Sequence, residues 1–520
     1  MLQSLDIVVF VVYIVIVLAI ALVISLRGQK ANQSAEGYFL ASKSLPWWAI
    51  GASLIASNIS AEQFIGMSGS GYAIGLAIAS YEWMAAITLL LVGKFLLPIF
   101  FNKGIYTMPE YLESRFDVRT RVSMAVFWLL VYVFVNLTSV LYLGALALKT
   151  LLDIELGTGV LMLAAFSAAY TVYGGLRAVA WTDVIQIIFL VLGGLIATWQ
   201  AVSLVGGSEG FIAGFKHMLE SYPEKWEMIL EKGREGYQYL PGWGVLLGGL
   251  WVANISYWGL NQYIIQRALA GRNLPEAQKG MVFAAYLKIL MPLIVVVPGI
   301  AAFALNAPIK ASDEAYPWVL SNVLGTGMRG LAFAALMAAV VSSLSSMTNS
   351  TATLFTLDIY KRVLRPKATQ KRQVFIGRLV SAAALVVAVI IAPKLATLDQ
   401  AFQFIQDFTG LISPGVVVIF LLGMFWKKAG RHAAFATVLM TIPVGWVLEQ
   451  YLFPGMPFLN RMGVSTLLLA LIFVVISLFE KRRPESFTVP RWEWFSTGHV
   501  FNYGALGVIG IVAALYYFFR

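Results

Sequence analysis

About fourteen apolar segments follow one another along the chain, and this succession limits the fold more than any other feature. Each is long enough for a membrane helix, which needs about 20 residues. Lipid offers no hydrogen-bond partners, so the backbone must be helical or close into a barrel, and barrel-like alternation is absent. The sequence therefore predicts an all-α polytopic membrane protein. The segments lie at 5–27, 47–71, 74–102, 122–152, 157–173, 178–205, 241–268, 274–305, 327–364, 372–393, 397–426, 430–452, 463–480 and 500–519.

The composition leaves no room for a soluble domain of useful size. The 520 residues are 59% hydrophobic and only 12% charged, whereas soluble domains are about 25% charged. Because the chain has no cysteine, disulfides, thiolate metal sites and cysteine nucleophiles are excluded. The three histidines, His217, His432 and His499, fall in loops or near predicted helix ends, which argues against a proton relay through buried histidine.

The basic residues predict the orientation in the membrane. The first segment ends at Arg27 with Lys30 close behind, which favours an external N-terminus, and it lacks the features of a cleaved signal peptide. Most loop lysines and arginines then fall inside, and an even number of helices places the C-terminus outside as well. This distribution accounts for the net charge of +11 without a nucleic-acid partner. The acidic loop 206–240 is predicted to form a short external helical cap.

Three polar runs, at 56–63, 253–258 and 342–346, interrupt the apolar segments. A charge at the bilayer centre costs about 2.5–3.5 kcal/mol, so these runs must face protein, water or a ligand. Interrupted helices are the best sequence pointer to a transporter's binding site. The broken second and seventh helices each open a block of five, which predicts inverted repeats at 47–205 and 241–426. The helices at 5–27 and 430–519 lie outside the repeats, within one transmembrane unit, 1–520.

Several buried polar side chains suit a polyhydroxylated solute. Gln63 and Glu82 combine amide and carboxylate groups that donate to and accept from hydroxyls; the alternative is a hydrogen bond that locks two helices. Lys288 lies far from a helix end and needs a partner or a ligand oxygen, unless it snorkels to the interface. Asn254 and Gln406 are further buried amides.

Other residues in the apolar segments suit a gate of the binding site or a cation site. Tyr257 and Trp258 can stack on a ring or close a gate, although aromatic side chains in membrane helices more often pack. Ser342 and Ser343 share a helical face, and their hydroxyls, with carbonyls freed by a broken helix, suit a hard cation such as sodium; the alternative is a tight helix contact. Asp183 either acts in function or stabilises the start of its helix.

The motifs of the chain resemble those of the sodium:solute symporter family, and most closely its bacterial sodium/galactose-glucose branch. The strings that carry the resemblance are NISAEQFIG at 58–66, SYEW at 80–83, YGGL at 173–176, WTDVIQ at 181–186, LWVAN at 250–254 and QYIIQR at 262–267. The resemblance covers almost the whole chain. It implies fourteen helices around a LeuT-like core of five plus five inverted helices, and a transporter rather than an enzyme. It also implies that inward sodium flow drives solute uptake across the cell inner membrane.

The resemblance also implies roles for individual residues. Those implied to bind the sugar are Gln63, Glu82, Asn254, Lys288 and Gln406, with Tyr257, beside Trp258, as the gate that stacks on the ring. The sodium ligands would be the carbonyls of Ala56, Ile59 and Ala339 and the hydroxyls of Ser342 and Ser343. Some members bind a second sodium, for which the residues here would be Asp183, Ser345 and Ser346. Ala85 stands where close sugar-carrying relatives have a serine, so the exact sugar stays open.

These observations predict a sodium symporter for a neutral hexose, galactose or glucose, with sodium, the sugar and the bilayer as its partners. Carriers of myo-inositol, a sialic acid or an amino acid are the alternatives within the family. A carboxylate binder should have a cationic clamp, and Glu82 argues against one. A channel needs pore-lining rings, and a membrane enzyme needs a catalytic cluster; the sequence shows neither.

Overall fold

The computed structural model describes residues 3–27, 34–397, 401–480 and 490–520, and they are folded almost entirely into helices. The side chains of Ser25, Arg27, Tyr170, Tyr173, 396–397 and 401–408 lie outside this description. No strand occurs within these ranges, where one isolated parallel bridge joins Leu45 and Gly271. The all-α fold predicted from the sequence is therefore confirmed.

The helices account for the predicted number of crossings. Among the described residues, ten helical stretches are long and apolar enough to cross a membrane, and two shorter apolar helices occupy Leu156–Ala169 and Thr409–Phe425. Two further crossings are broken near their middle, so the total agrees with the fourteen predicted. The α-helices are α1 Ser4–Arg27, α2 Ala35–Leu40, α3 Trp47–Asn58, α4 Ser68–Ala73, α5 Ser80–Leu91, α6 Leu97–Lys103, α7 Met108–Arg115, α8 Val118–Leu130, α9 Thr138–Leu152, α10 Leu156–Val205, α11 Gly210–Ser221, α12 Trp243–Leu247, α13 Gly249–Ile255, α14 Gln262–Leu269, α15 Leu274–Val295, α16 Val297–Ala304, α17 Ala315–Asn322, α18 Met328–Leu354, α19 Gln370–Ile391, α20 Ala401–Phe425, α21 Arg431–Val447, α22 Phe458–Phe479 and α23 His499–Phe518. Wider π-helical turns occupy Glu62–Met67, Val92–Leu96, Val131–Leu137, Ser256–Leu260, Phe355–Leu364 and Leu448–Leu452.

The second crossing breaks where the sequence predicts. Helix α3 ends at Asn58, and Ile59 takes an extended conformation with φ −76° and ψ 120°. The chain resumes as the π-turn Glu62–Met67 and then as α4. Because the last carbonyls of a helix have no partner in the next turn, this break exposes backbone oxygens in the middle of the membrane.

The seventh crossing breaks later than the polar run 253–258. That run stays helical, and the break falls at Asn261, with φ −83° and ψ 123°. The side chain of Asn261 accepts a hydrogen bond from Tyr263 N and so begins α14 as an N-cap. The third run, 342–346, does not interrupt its helix at all, since α18 continues through it. Freed carbonyls near these serines therefore come from α3.

Helix α18 lies at the centre of the bundle. In its crossing, Met328–Leu364, 94% of the most apolar window is buried, against 17% for Ser4–Ile24 and for His499–Phe518 at the periphery. Helix α10 packs on α18, and its two arms meet at Gly175, where φ is 59°. A Cβ at Gly175 would lie 2.6 Å from the carbonyl oxygen of Tyr38, so this kink requires glycine.

Both chain ends lie on one face, which we call the terminal face. Asp6 accepts hydrogen bonds from Gly327 N and Gly330 N at 2.7 and 3.0 Å. At the other end, Met228 N of the acidic loop donates to Phe519 O at 2.7 Å. The acidic loop contains the predicted cap helix, α11. Near it, Lys225 Nζ donates to the carbonyls of Tyr72 and Ala73 at 2.9 and 2.6 Å, which fastens the loop to the end of α4.

Candidate functional site

A central cavity lies between the two broken crossings. It has about 1050 Å³ of space between atoms, part of it open to solvent. Six of the seven residues predicted to meet the solute line it: Gln63, Glu82, Asn254, Tyr257, Trp258 and Lys288. The side chain of Gln406, the seventh, lies outside the described residues. Ala85 also lines the cavity, so the position that departs from the family pattern faces the same space.

Lys288 and Glu82 form a buried ion pair across this cavity, between α15 and α5. Their side chains are 1% and 5% exposed, so Lys288 does not snorkel to the interface. Its Nζ also lies 5.1 Å from the centre of the Trp258 ring. Lys288 is the only lysine or arginine among the described lining residues, and its charge is paired with that of Glu82.

The other polar groups of the cavity differ in whether a described protein group bonds to them. Gln63 Oε1 accepts from Ser60 N and Ser60 Oγ at 2.8 and 3.0 Å, whereas Asn254 Nδ2 is buried with no hydrogen bond in the described structure. Glu62 Oε1 and Asn136 Oδ1 are likewise buried and unpaired there. An unpaired buried polar group costs about 1–3 kcal/mol, which indicates that water or a ligand completes these bonds.

Three of the lining acceptors were missed by the sequence analysis: Asn58, Glu62 and Asn136. Asn58 and Glu62 lie in the polar run that was identified, but the run alone does not show which of its side chains face inward. Asn136 is an isolated amide in the apolar segment 122–152, at the π-turn Val131–Leu137. An isolated amide between valines and leucines, on a helical turn of a type common at functional sites, was the available signal.

Aromatic side chains close one wall of the cavity. The hydroxyl of Tyr257 accepts from Asn58 Nδ2 at 2.9 Å and is hydrogen-bonded to the hydroxyl of Tyr263. Tyr132 in turn donates to Asn261 Oδ1, at the break of the seventh crossing. Tyr257 is therefore held by hydrogen bonds rather than by packing alone, whereas its role as a gate stays a prediction.

A second pocket lies between the cavity and the terminal face. It shares Ile78 and Tyr81 with the cavity and is also lined by Glu235 and Asp313 from the loops of that face. Burial raises the pKa of the Asp313 carboxyl above its usual value. A solute path from the terminal face to the cavity therefore passes acidic side chains.

The predicted sodium ligands lie between α3 and α18. Ser343 Oγ donates to the carbonyls of Ser57 and Ile59 at 3.1 and 3.2 Å, so the hydroxyl of α18 meets the oxygens at the break of α3. Ala56 and Ala339 are buried in the same two helices, at 0% and 1% exposure. Hydroxyl and carbonyl oxygens of this kind suit a hard monovalent cation.

Ser342 contacts a different partner. Its hydroxyl donates to Asp183 Oδ1 at 2.5 Å, and Ser53 donates to Asp183 Oδ2, also at 2.5 Å. Asp183 thus joins α10 to α18 and α3, and it does not serve as the cap of its own helix. Arg267 Nη2 lies 3.8 Å from Asp183 Oδ2, and both side chains are 0% exposed.

The residues predicted for a second sodium fall into two environments. Ser346 donates to Ser57 Oγ at 2.9 Å and accepts from Arg267, so it shares a network with Asp183. Ser345 donates to the carbonyls of Val341 and Ser342 in its own helix, at 2.7 and 3.0 Å. The second sodium stays a prediction.

Comparison with known proteins assigns the family. A model of the sodium:solute symporter family matches residues 38–441. Over 538 aligned residues the chain is 50% identical to the sodium/glucose cotransporter of Vibrio parahaemolyticus, covering 100% of this chain and 98% of the relative. It is 34% identical over 470 residues to sodium/myo-inositol cotransporter 2 of Oryctolagus cuniculus, covering 85% of this chain and 69% of the relative.

A solved structure supports the fold. The chain superposes on a sodium-coupled sialic acid symporter in a substrate-bound, outward-open state with a TM-score of 0.81 and 23% identity, covering 93% of this chain and 99% of that one. At this identity the likeness concerns the fold alone. The family model and the extent of the sequence identities lead to one conclusion: the chain belongs to the sodium:solute symporter family.

Proposed function

We propose that the protein is a sodium-driven symporter that imports a neutral hexose, galactose or glucose, by alternating access. The substrate is inferred from one observation. Lys288 is paired with Glu82, while buried atoms of Asn136, Asn254 and Glu62 have no hydrogen-bond partner among the described residues. A sugar brings hydroxyls that both donate and accept, so it can complete these bonds. A carboxylate solute would need a free cation. The 50% identity to a sodium/glucose cotransporter favours the same substrate class.

Sodium supplies the driving force in this proposal. The ion binds among oxygens between α3 and α18, with Ala56, Ile59, Ala339, Ser342 and Ser343 as ligands, and favours the state that is open to the outside. Sugar then binds at mid-membrane, and the two repeats, 47–205 and 241–426, rock against each other. Coupling arises because each ligand binds one state more tightly than the other. An inside-negative potential adds about 2.3 kcal/mol per charge per 100 mV.

Transport by reconstituted protein tests both parts. Proteoliposomes are given labelled galactose, glucose, myo-inositol and a sialic acid, with an inward gradient of sodium or of choline. We expect hexose accumulation that requires sodium and rises with an inside-negative potential. Uptake driven by a proton gradient without sodium would refute the ion, whereas uptake of only myo-inositol or the sialic acid would refute the hexose.

We further propose that the terminal face is external in the cell inner membrane, because the positive-inside rule places the basic loops opposite it. The absence of cysteine allows a direct test by single substitutions. Ser208 and Ser496 are both exposed. They lie on opposite faces, because α23 runs from beside Ser496 to Phe519 on the terminal face. An impermeant maleimide should label Ser208→Cys in intact cells and Ser496→Cys only after lysis. The reverse pattern would invert the orientation.

A further inference from the structure

Arg267 connects the proposed ion region to the aromatic wall of the cavity. It lies on α14, directly after the break of the seventh crossing, and is 0% exposed. One guanidinium nitrogen, Nη1, donates to the carbonyl of Tyr263, and the other, Nη2, donates to Ser346 Oγ. Neither sequence pattern nor resemblance gave this side chain a role.

On the ion side, two hydrogen bonds lead from Arg267 to α3. Arg267 donates to Ser346, and Ser346 Oγ donates to Ser57 Oγ at 2.9 Å. The carbonyl of Ser57 accepts from Ser343 at 3.1 Å. The hydroxyl hydrogen of Ser343 is shared between the carbonyls of Ser57 and Ile59. A sodium ion that binds the Ile59 carbonyl and a lone pair of Ser343 repels this hydrogen from Ile59, so the hydrogen bond to Ser57 must readjust. Ion binding therefore changes the hydrogen bonds that hold Ser57.

On the cavity side, the link runs through Tyr263. Its carbonyl accepts from Arg267, and its hydroxyl is bonded to that of Tyr257, which lines the cavity beside Trp258. The rings of Tyr257 and Tyr263 meet edge to face, with centres 5.7 Å apart and planes at 87°. A movement of Arg267 therefore affects the position of Tyr257 in the cavity wall that the sugar would contact.

The chemistry of arginine fits this connection. A guanidinium donates in several fixed directions at once, so one side chain can serve Ser346 and the Tyr263 carbonyl while its charge faces Asp183. Lysine carries the same charge but concentrates its donors at one atom. The substitution Arg267→Lys therefore keeps the positive charge but removes the simultaneous hydrogen bonds to Ser346 and the Tyr263 carbonyl.

We propose that Arg267 is a positioning residue that transmits sodium binding to the sugar cavity. The proposal rests on the proposed symport and adds the route of its coupling. Arg267 binds neither ligand; the sodium-dependent change at Ser57 and Ser346 reaches Tyr263 and Tyr257 through its guanidinium. Removing the hydrogen bonds of Arg267 should leave the sugar affinity measured in the absence of sodium unchanged. It should abolish the increase in sugar affinity that sodium causes.

The test is the sugar affinity of the purified full-length chain, measured by titration calorimetry with galactose and glucose in sodium chloride and in choline chloride. Coupling between two sites typically changes affinity by about 5- to 150-fold. We call the ratio of sugar affinity in sodium to that in choline the enhancement, and we expect it to fall in this range for the unmodified protein. For Arg267→Lys we expect an enhancement near one, with the sodium-free affinity within about twofold of the unmodified value. Because binding linkage is reciprocal, the effect of sugar on sodium affinity should fall equally.

Two further variants separate coupling from a structural effect. Gln266→Met is the matched control, because Gln266 is the neighbouring buried side chain of α14 and donates to Phe39 O and Thr353 instead; it should keep the enhancement. Tyr263→Phe removes the hydroxyl bonded to Tyr257 and keeps the carbonyl that Arg267 meets, and it should reduce the enhancement at least threefold.

A full sodium enhancement in Arg267→Lys or in Tyr263→Phe would overturn the proposal, and so would its loss in Gln266→Met. These results differ from a failure of the proposed function itself. If the unmodified protein shows neither sodium-driven uptake nor sodium-enhanced binding of any hexose, the symport proposal fails before the variants are compared.

Discussion

The proposed sugar cavity and the proposed ion region lie side by side, but they differ in how far their buried polar groups are hydrogen-bonded. In the cavity, buried atoms of Asn254 and Glu62 have no partner within the described structure. In the ion region, Ser342, Ser343 and Asp183 are all engaged with one another or with backbone. A sugar can therefore add its own hydrogen bonds to a prepared cavity. A cation must instead share oxygens that already take part in hydrogen bonds, so its binding changes the hydrogen bonds between the helices.

The largest effect should come from breaking the ion pair between Lys288 and Glu82 in the cavity. Lys288→Ala leaves the carboxylate of Glu82 buried without its counter-charge, which costs about 3–5 kcal/mol. We expect a clear fall in the melting temperature of the solubilised protein and loss of uptake. The double variant Glu82→Gln, Lys288→Met should recover the melting temperature but not the uptake. Equal melting temperatures for the single and double variants would show that the pair is not needed for stability.

A smaller loss, confined to the sugar, is expected for Asn254→Ala. Its Nδ2 bonds to no described protein group, so its removal should hardly change stability. If a sugar hydroxyl is its partner, the lost bond weakens binding by about 1–3 kcal/mol, roughly 5- to 150-fold. Titration with galactose and glucose measures this. Gln63→Ala should weaken binding to a similar extent, and unchanged affinity in both variants would place the sugar elsewhere.

The ion region should respond to Ser343→Ala. Losing one of several neutral oxygen ligands should raise the half-saturating sodium concentration about tenfold, equivalent to about 1.4 kcal/mol. Sugar affinity at saturating sodium should stay the same. Thr348→Val is the control, because Thr348 lies in the same helix and donates to its own Leu344 carbonyl. A sodium dependence that is unchanged by Ser343→Ala would remove this serine from the site.

The smallest expected change is a factor of two in stoichiometry. With a second sodium bound through Asp183, Ser345 and Ser346, about two charges should move per sugar, as read from the reversal potential of coupled flux. Ser345→Ala should lower this ratio to one, and it leaves the contact between Asp183 and Arg267 intact. A ratio of one in the unmodified protein would eliminate the second ion and leave Arg267 as the cation that Asp183 meets.

Much of the candidate site was predictable because a polar side chain inside a membrane helix costs free energy unless a partner or ligand bonds to it. Gln63, Glu82, Asn254 and Lys288 were identified in this way, and the cavity brings them together. A break in the seventh crossing was predicted, but at 253–258 and not at Asn261. A helix can continue through buried polar side chains, and the position of the N-cap that begins α14 depends on local backbone geometry.

The sequence by itself determined the all-helical fold, the number of crossings and the family, because the bilayer forces each apolar segment into a helix and the motifs are long. Only the tertiary structure decided which polar groups meet. Lys288 pairs with Glu82, which is 206 residues away in the sequence, and Arg267 donates to Ser346, which is 79 residues away. Helix packing determines these pairings. Among the described residues, the same packing leaves polar atoms of the cavity without hydrogen-bond partners but gives Ser342, Ser343 and Asp183 partners.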